Sequence, residues 1–151
     1  MKEATAQKLA QREIAYMKLL VQAEAFLAMT DSGLGHEHFP TTQVTRGEGP
    51  FADLKTLGYT VTITFNYWEK VGGPYGWLLM DVVLPRRGGV PVRLCRWFVD
   101  EFGNLRVNPD IDEHAATYSI KDKNFLVRLL DEVQSRLFEL DPTRDVVETV
   151  V

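Results

Sequence analysis

The chain has 151 residues, of which 45% are hydrophobic and 25% charged, and its formal net charge is −4. This composition is typical of a single globular domain that is large enough to bury a hydrophobic core without disulfide bonds or metal ions to stabilise it. The single cysteine, Cys95, excludes an internal disulfide framework. Residues 59–108 carry six basic and four acidic side chains, whereas residues 109–151 carry five basic and ten acidic ones, so a uniformly basic nucleic-acid binder is disfavoured.

The sequence carries no predicted export signal or membrane span. Its first residues are polar and lack the apolar centre of a signal peptide. No stretch approaches the roughly 18 consecutive apolar residues that a membrane-spanning helix needs. A lone cysteine fits a reducing compartment. We therefore expect a cytoplasmic protein with no membrane partner.

The first predicted element is a long helix over residues 1–30. Residues 3–29 contain neither glycine nor proline and are rich in alanine, leucine, lysine, glutamine and glutamate, which are strong helix formers. Apolar residues recur at spacings of three, four and seven and form an unusually broad stripe. The stripe suggests a helix that lies on a sheet and also contacts something else.

Residues 31–58 form the least regular segment, with many glycines, two prolines and few periodic apolar residues. Within it we predict order at residues 50–57, as a short helical turn with proline near its start and Gly58 as its stop. Long connections in compact domains are usually functional or mobile. This segment is therefore a candidate location for a site.

A sheet is predicted over residues 59–108. Apolar and polar side chains alternate strictly from Tyr59 to Asn66, the pattern of a strand with one buried and one polar face. We predict strands at 59–67, 77–84, 90–99 and 105–107. The links between them are short, which favours antiparallel pairing because parallel strands need long crossovers.

An amphipathic helix is predicted over residues 119–141, behind a capping sequence that begins at Ser119. The tail, residues 142–151, is β-prone, so we expect it either to pair with an edge strand or to stay mobile. The predicted fold is α+β in one domain, residues 1–151. It is a four-stranded antiparallel meander flanked by a long N-terminal helix and a C-terminal amphipathic helix.

The predicted binding residues lie on the second and third predicted strands. Apolar residues fall on both faces of these strands, whereas a solvated antiparallel face should be mostly polar. Asp81 stands between apolar residues, and an ion pair across strands with Arg93 or Arg96 would satisfy its charge. The set of binding candidates is Trp77, Asp81, Arg93, Arg96 and Trp97.

The histidines suggest a different kind of site. His36 and His38 would point to the same side of an extended segment, and imidazole is the commonest metal ligand. His114 lies in an acidic stretch that offers further carboxylate ligands. A zinc or iron site built from these three histidines is therefore an alternative, but the favoured interpretation is that His36 and His38 are solvated loop residues that do not meet His114.

No catalytic motif is present in the sequence, so the favoured function is a non-enzymatic protein-interaction module. It would be of adaptor or inhibitor type, a kind of protein that phages and mobile elements also encode. The expected partner is another protein, a second copy of the chain as a homodimer, or both; nucleic acid is disfavoured and no cofactor is predicted. The alternatives are a metal-dependent enzyme using the three histidines and a small-ligand protein with a pocket between sheet and helix.

Overall fold

The computed structural model of the chain describes residues 2–34, 39–70, 73–84, 88–107, 118–119 and 122–140. Two helices enclose a run of strands in the sequence. The elements are α1 (Lys2–Gly33), β1 (Gln43–Arg46), β2 (Phe51–Thr56), β3 (Tyr59–Lys70), β4 (Gly73–Val83), β5 (Pro91–Val99), β6 (Asn104–Val107), β7 (Tyr118–Ser119) and α2 (Lys123–Leu140).

All strands belong to one antiparallel sheet in which spatial order equals chain order, from β1 to β7. The predicted α+β class and the meander topology are thereby confirmed. The predicted number of strands is wrong, because within the described ranges the sheet has six strands of at least four residues and a seventh of two residues, β7. The predicted tail, residues 142–151, lies outside the described residues.

The two additional strands at the start of the sheet come from the segment predicted to be irregular. In β2 the side chains of Ala52, Leu54 and Thr56 are buried and alternate with more exposed ones, so the period is two. Leu57 and Gly58 then form a two-residue hairpin turn in which both φ angles are positive, 51° and 83°. The predicted helical turn over residues 50–57 is therefore wrong.

Strand β5 contains a β-bulge that sets which side chains share a face. Asp81 pairs with Arg93, whereas the residue before Asp81 pairs with Cys95, so Leu94 is the additional residue. Leu94 and Cys95 are both buried on the core side. Because of this bulge Arg93 and Arg96, three positions apart, lie on the same face of the sheet.

Both helices bury their apolar side chains against one face of the sheet, where they form a single core cluster with the strands. The rings of Phe26 from α1 and Phe125 from α2 are 5.9 Å apart, and Phe125 meets Trp97 of β5 edge to face at 4.8 Å. Trp97 is fully buried in this cluster. The core therefore lies between the helices and this face, which we call the helix face.

Helix α1 is embedded along its second half. Leu19, Ala23 and Leu27 are fully buried, whereas residues 2–11 are exposed throughout. The predicted end of this helix, residue 30, is extended to Gly33. Neither α1 nor α2 is long and apolar enough to cross a membrane, and no other helix occurs among the described residues.

Helix α2 is joined to the sheet by a small buried polar cluster as well as by apolar packing. The Gln134 side-chain amide donates to the Thr56 hydroxyl at 3.0 Å, and the hydroxyls of Thr56 and Thr42 are 3.0 Å apart. Both threonines are buried. Buried polar groups of this kind need their partners, so the cluster fixes how α2 sits over β2.

Candidate functional site

The second face of the sheet, which we call the open face, is the one that neither α1 nor α2 covers. The strand register brings Thr62 opposite Asp81, Thr64 opposite Leu79 and Asn66 opposite Trp77. On this face Val83 is 55% and Trp68 is 54% exposed. Large apolar side chains that stay accessible on a sheet are typical of an interaction surface.

Four aromatic residues cluster on the open face and form what we call the aromatic patch: Trp68, Tyr75, Trp77 and Phe98. The ring of Trp77 packs against Phe98 with centroids 3.9 Å apart and the ring planes tilted by 54°, and Tyr75 meets Phe98 edge to face at 6.2 Å. Phe98 is only 3% exposed, although it lies on the uncovered face. Its neighbours Tyr75 and Trp77 shield it, so the patch is a preformed aromatic layer.

A cation lies over the ring of Trp77. The guanidinium carbon of Arg96 is 5.0 Å from the centroid of the Trp77 ring, within the range of a cation–π contact. The indole N–H of Trp77 is buried and has no hydrogen-bond partner among the described residues. An unpaired buried donor carries a desolvation cost that a hydrogen-bond acceptor would relieve.

Toward the other end of the open face, the charged side chains on β4 and β5 are paired with each other. Arg93 donates to both oxygens of the Asp81 carboxylate, at 3.0 and 3.4 Å. This pair is the cross-strand ion pair expected for Asp81, with Arg93 rather than Arg96 as the partner. The Thr62 hydroxyl donates to Asp53 at 3.0 Å on the neighbouring strands. These carboxylates are thus satisfied within the chain.

A cavity of about 260 Å³ adjoins the aromatic patch. Tyr75, Phe98, Phe102 and Arg106 are among the residues that line it. Its volume is slightly below the range of roughly 300–1,000 Å³ that is typical of small-molecule sites. It has the right size for one bulky side chain of a partner.

The turn that borders this cavity is held by Asp100. Its Oδ1 atom accepts hydrogen bonds from the backbone N–H groups of Phe102 and Asn104, both at 2.9 Å, and Oδ2 accepts from the Asn104 side chain at 3.0 Å. Since both oxygens are engaged, the carboxylate acts as a turn brace. Arg106, directly opposite Phe98 on the neighbouring strand, supplies an exposed positive charge.

The structure brings together four of the five predicted binding residues and separates the fifth. Trp77, Asp81, Arg93 and Arg96 share the open face, whereas Trp97 is buried on the helix face. The predicted set therefore does not form one pocket between sheet and helix. Prediction missed Trp68, Tyr75 and Phe98 as site residues, although simple alternation from Trp77 already places Tyr75 beside it on the same face.

The predicted metal ligands cannot be placed, because His36, His38 and His114 lie outside the described residues. Within the described ranges, no group of three histidine, cysteine, aspartate or glutamate side chains could hold a metal ion. Cys95 is buried, and burial raises the pKa of its thiol to about 12. At neutral pH this thiol is protonated and is therefore a poor nucleophile.

A titratable cluster joins the first half of α1 to the far end of β3. Arg12 donates to Glu69 at 2.7 Å, and the Tyr67 hydroxyl donates to the same carboxylate at 2.6 Å. These two hydrogen bonds lower the pKa of Glu69, and the bond from Arg12 has the larger effect. The pKa of Tyr67 is raised to about 12, mainly by burial and to a smaller extent by its hydrogen bond to Glu69. Every charge here has a partner, which indicates a helix anchor rather than a reaction centre.

No protein-family model, curated protein or solved structure matches this chain. The candidate functional site is the aromatic patch together with Arg96, Arg106 and the adjoining cavity.

Proposed function

We propose that this chain is a non-enzymatic protein-interaction module that binds another protein through the aromatic patch. The observation that carries the proposal is the packed group of Tyr75, Trp77 and Phe98, with Arg96 over the Trp77 ring, on a face that neither helix covers. Tyrosine, tryptophan and arginine are the residue types most enriched where binding energy concentrates in protein interfaces.

The charges around the patch indicate an acidic partner surface. Arg96 and Arg106 are both exposed. The acidic groups nearby already have partners, because Asp81 pairs with Arg93, Asp100 accepts hydrogen bonds from its own turn and Glu101, which also lines the cavity, lies 3.9 Å from Lys18. Arg96 and Arg106 form no ion pair with another described residue, so carboxylates on a partner would favour association and orientation at these two guanidinium groups.

The cavity beside the patch gives the partner a point of insertion. An aromatic or large aliphatic side chain would fill the space between Tyr75, Phe98 and Phe102, and an adjacent carboxylate would reach Arg106. Hot spots typically form where one side chain enters a desolvated pocket beside a charged group. The proposed ligand is thus an acidic protein segment that carries a bulky apolar side chain.

The proposal is tested by affinity capture with matched variants, read by quantitative mass spectrometry. Trp77→Ala and Arg96→Glu each alter the patch, whereas Thr60→Ala changes an exposed position at the polar end of the same sheet face. A partner should be enriched equally by the unmodified chain and by Thr60→Ala. Its recovery should fall by about tenfold or more with either patch variant, as expected for hot-spot residues.

Circular dichroism on each variant checks that the loss comes from the surface and not from unfolding. Equal recovery of every captured protein by the patch variants and the control, with all variants folded, would refute the proposal.

A further inference from the structure

An apolar stripe follows the outward side of α1. Ile14, Met17 and Val21 are 53%, 65% and 63% exposed, far more than is usual for residues of these types. They are spaced three and four positions apart, so they lie on one side of the helix. The buried residues Leu19 and Ala23 lie on the opposite side and face the sheet.

The stripe has the heptad pattern of a coiled-coil seam. Ile14 and Val21 are seven residues apart and take the position conventionally called a, while Ala10 and Met17 take position d. Branched residues such as isoleucine and valine at position a favour two-stranded parallel coiled coils. The pattern thus indicates a second helix as the occupant and a two-stranded arrangement.

The charges beside the seam specify a partner with the same sequence. In a parallel pair, a residue that directly precedes an a position contacts, on the other helix, the residue whose number is higher by five. Those residues here are Glu13 and Lys18, which carry opposite charges, and a two-fold axis forms the contact twice. Lys18 is 3.9 Å from Glu101 of its own chain, the outer limit of an ion pair, and its side chain is 60% exposed, so it remains accessible to a second copy.

We infer that α1 pairs in parallel with α1 of a second copy of this chain through Ala10, Ile14, Met17 and Val21. The sheet of each copy lies on the far side of its own α1, so the two bodies flank the helix pair. The pairing would also support residues 2–11, which are exposed along their length. Isolated helices of that length are marginal in water. The aromatic patch takes no part, so this inference is independent of the proposed function.

The seam is only about two heptads long, so the dimer should be weak and concentration-dependent. Sedimentation velocity from low to high micromolar chain concentration should therefore show a reversible shift from monomer to dimer. Met17→Glu would bury a carboxylate at the seam and should raise the dissociation constant by at least about tenfold. Lys8→Glu, a charge change at an exposed position off the seam, should leave the dissociation constant within about twofold.

The direction of pairing is tested by disulfide trapping. Positions a face their own equivalents in a parallel pair, so Val21→Cys should cross-link to itself under mild oxidation. The unmodified chain is the control, because its one cysteine, Cys95, is buried. In an antiparallel pair Val21→Cys would instead cross-link to Ala10→Cys in a mixture of the two variants.

Self-cross-linking of Val21→Cys together with weakened association of Met17→Glu would support the inference. A monomer at every concentration, cross-links formed solely in the mixture, or a dimer that Met17→Glu leaves intact would each overturn it.

Discussion

The two faces of the sheet are built from the same strands but differ in burial and in residue composition. On β4 the residues Leu78 and Met80 face the helices and are fully buried, whereas Trp77 and Asp81, on the other side, are partly exposed. The helix face is almost entirely apolar, while the open face mixes aromatic rings, threonines and ion pairs. A sheet that needed only to fold would leave its solvent face polar, so the aromatic patch is more than the fold requires.

Trp97 and Trp77, on neighbouring strands, illustrate the difference between the two faces. Trp97 on β5 is fully buried and meets Phe125 of α2 edge to face. Trp77 on β4 packs against Phe98 under Arg96, and it keeps part of its surface accessible. The difference predicts that Trp97 contributes mainly to stability and Trp77 mainly to binding.

The largest expected effect is that of Trp97→Ala. Removal of a fully buried indole leaves a cavity under α2, and such changes cost about 3–5 kcal/mol of the free energy of unfolding. Urea denaturation followed by circular dichroism measures the loss. Trp97→Phe serves as the milder variant if the alanine variant does not fold, and it should still be destabilised. A loss below about 1 kcal/mol for the alanine variant would show that the helix face is not the core.

The buried polar cluster gives a second comparison between the faces. Thr56→Val on the helix face leaves the Thr42 hydroxyl and the Gln134 amide without a partner and should cost about 1–3 kcal/mol. Thr62→Val on the open face removes a hydrogen bond to Asp53 near solvent and should cost less than about 1 kcal/mol. Equal losses in urea denaturation would contradict the assigned difference in burial.

Trp77→Ala should affect stability far less than Trp97→Ala does. The side chain lies on the uncovered face and its indole N–H is bonded to no residue that the structure describes, so we expect a loss of about 1 kcal/mol. The same denaturation experiment measures it, with Leu79→Ala as the neighbouring control on the same strand face. If the loss matches that of Trp97→Ala, the aromatic patch is a second core rather than a binding surface.

The smallest effect is expected in the β2–β3 turn. Leu57 has a φ of 51°, a conformation that asparagine adopts more easily than leucine. Leu57→Asn should therefore stabilise the chain by about 0.5–1 kcal/mol, seen as a raised melting temperature. Gly58→Ala, with a φ of 83° at the next position, is the opposing control and should lower it. A lower melting temperature for Leu57→Asn would indicate that Leu57 does not have a positive φ angle in this turn.

The central strands could be predicted because their alternation is simple. From Tyr59 to Asn66 every second residue is apolar, and the structure has β3 there. The sequence does not predict strand β2, because one of its three buried positions is a threonine, Thr56, whose hydroxyl accepts a hydrogen bond from Gln134 of a helix far along the chain. Strand β1 has a single buried apolar residue, Val44, and so gives almost no periodic signal.

The candidate site could be predicted in part for a similar reason. Alternation along β4 placed Trp77 and Asp81 on one face correctly. On β5 the bulge at Leu94 breaks the alternation, and this break brings Arg93 and Arg96 to the same side. Bulges depend on the pairing of two strands, which a single strand's pattern does not contain. The burial of Phe98 likewise depends on its neighbours Tyr75 and Trp77.

The proposed function requires that the aromatic patch is accessible to solvent in the isolated chain. Hydroxyl-radical footprinting read by mass spectrometry measures this for each aromatic side chain at a dilution that keeps the chain monomeric. We expect rapid oxidation of Trp68, intermediate oxidation of Tyr75 and Trp77, and protection of Trp97 and Phe125. Protection of Trp68 and Trp77 equal to that of Trp97 would mean that the open face is covered, and would contradict binding through the aromatic patch.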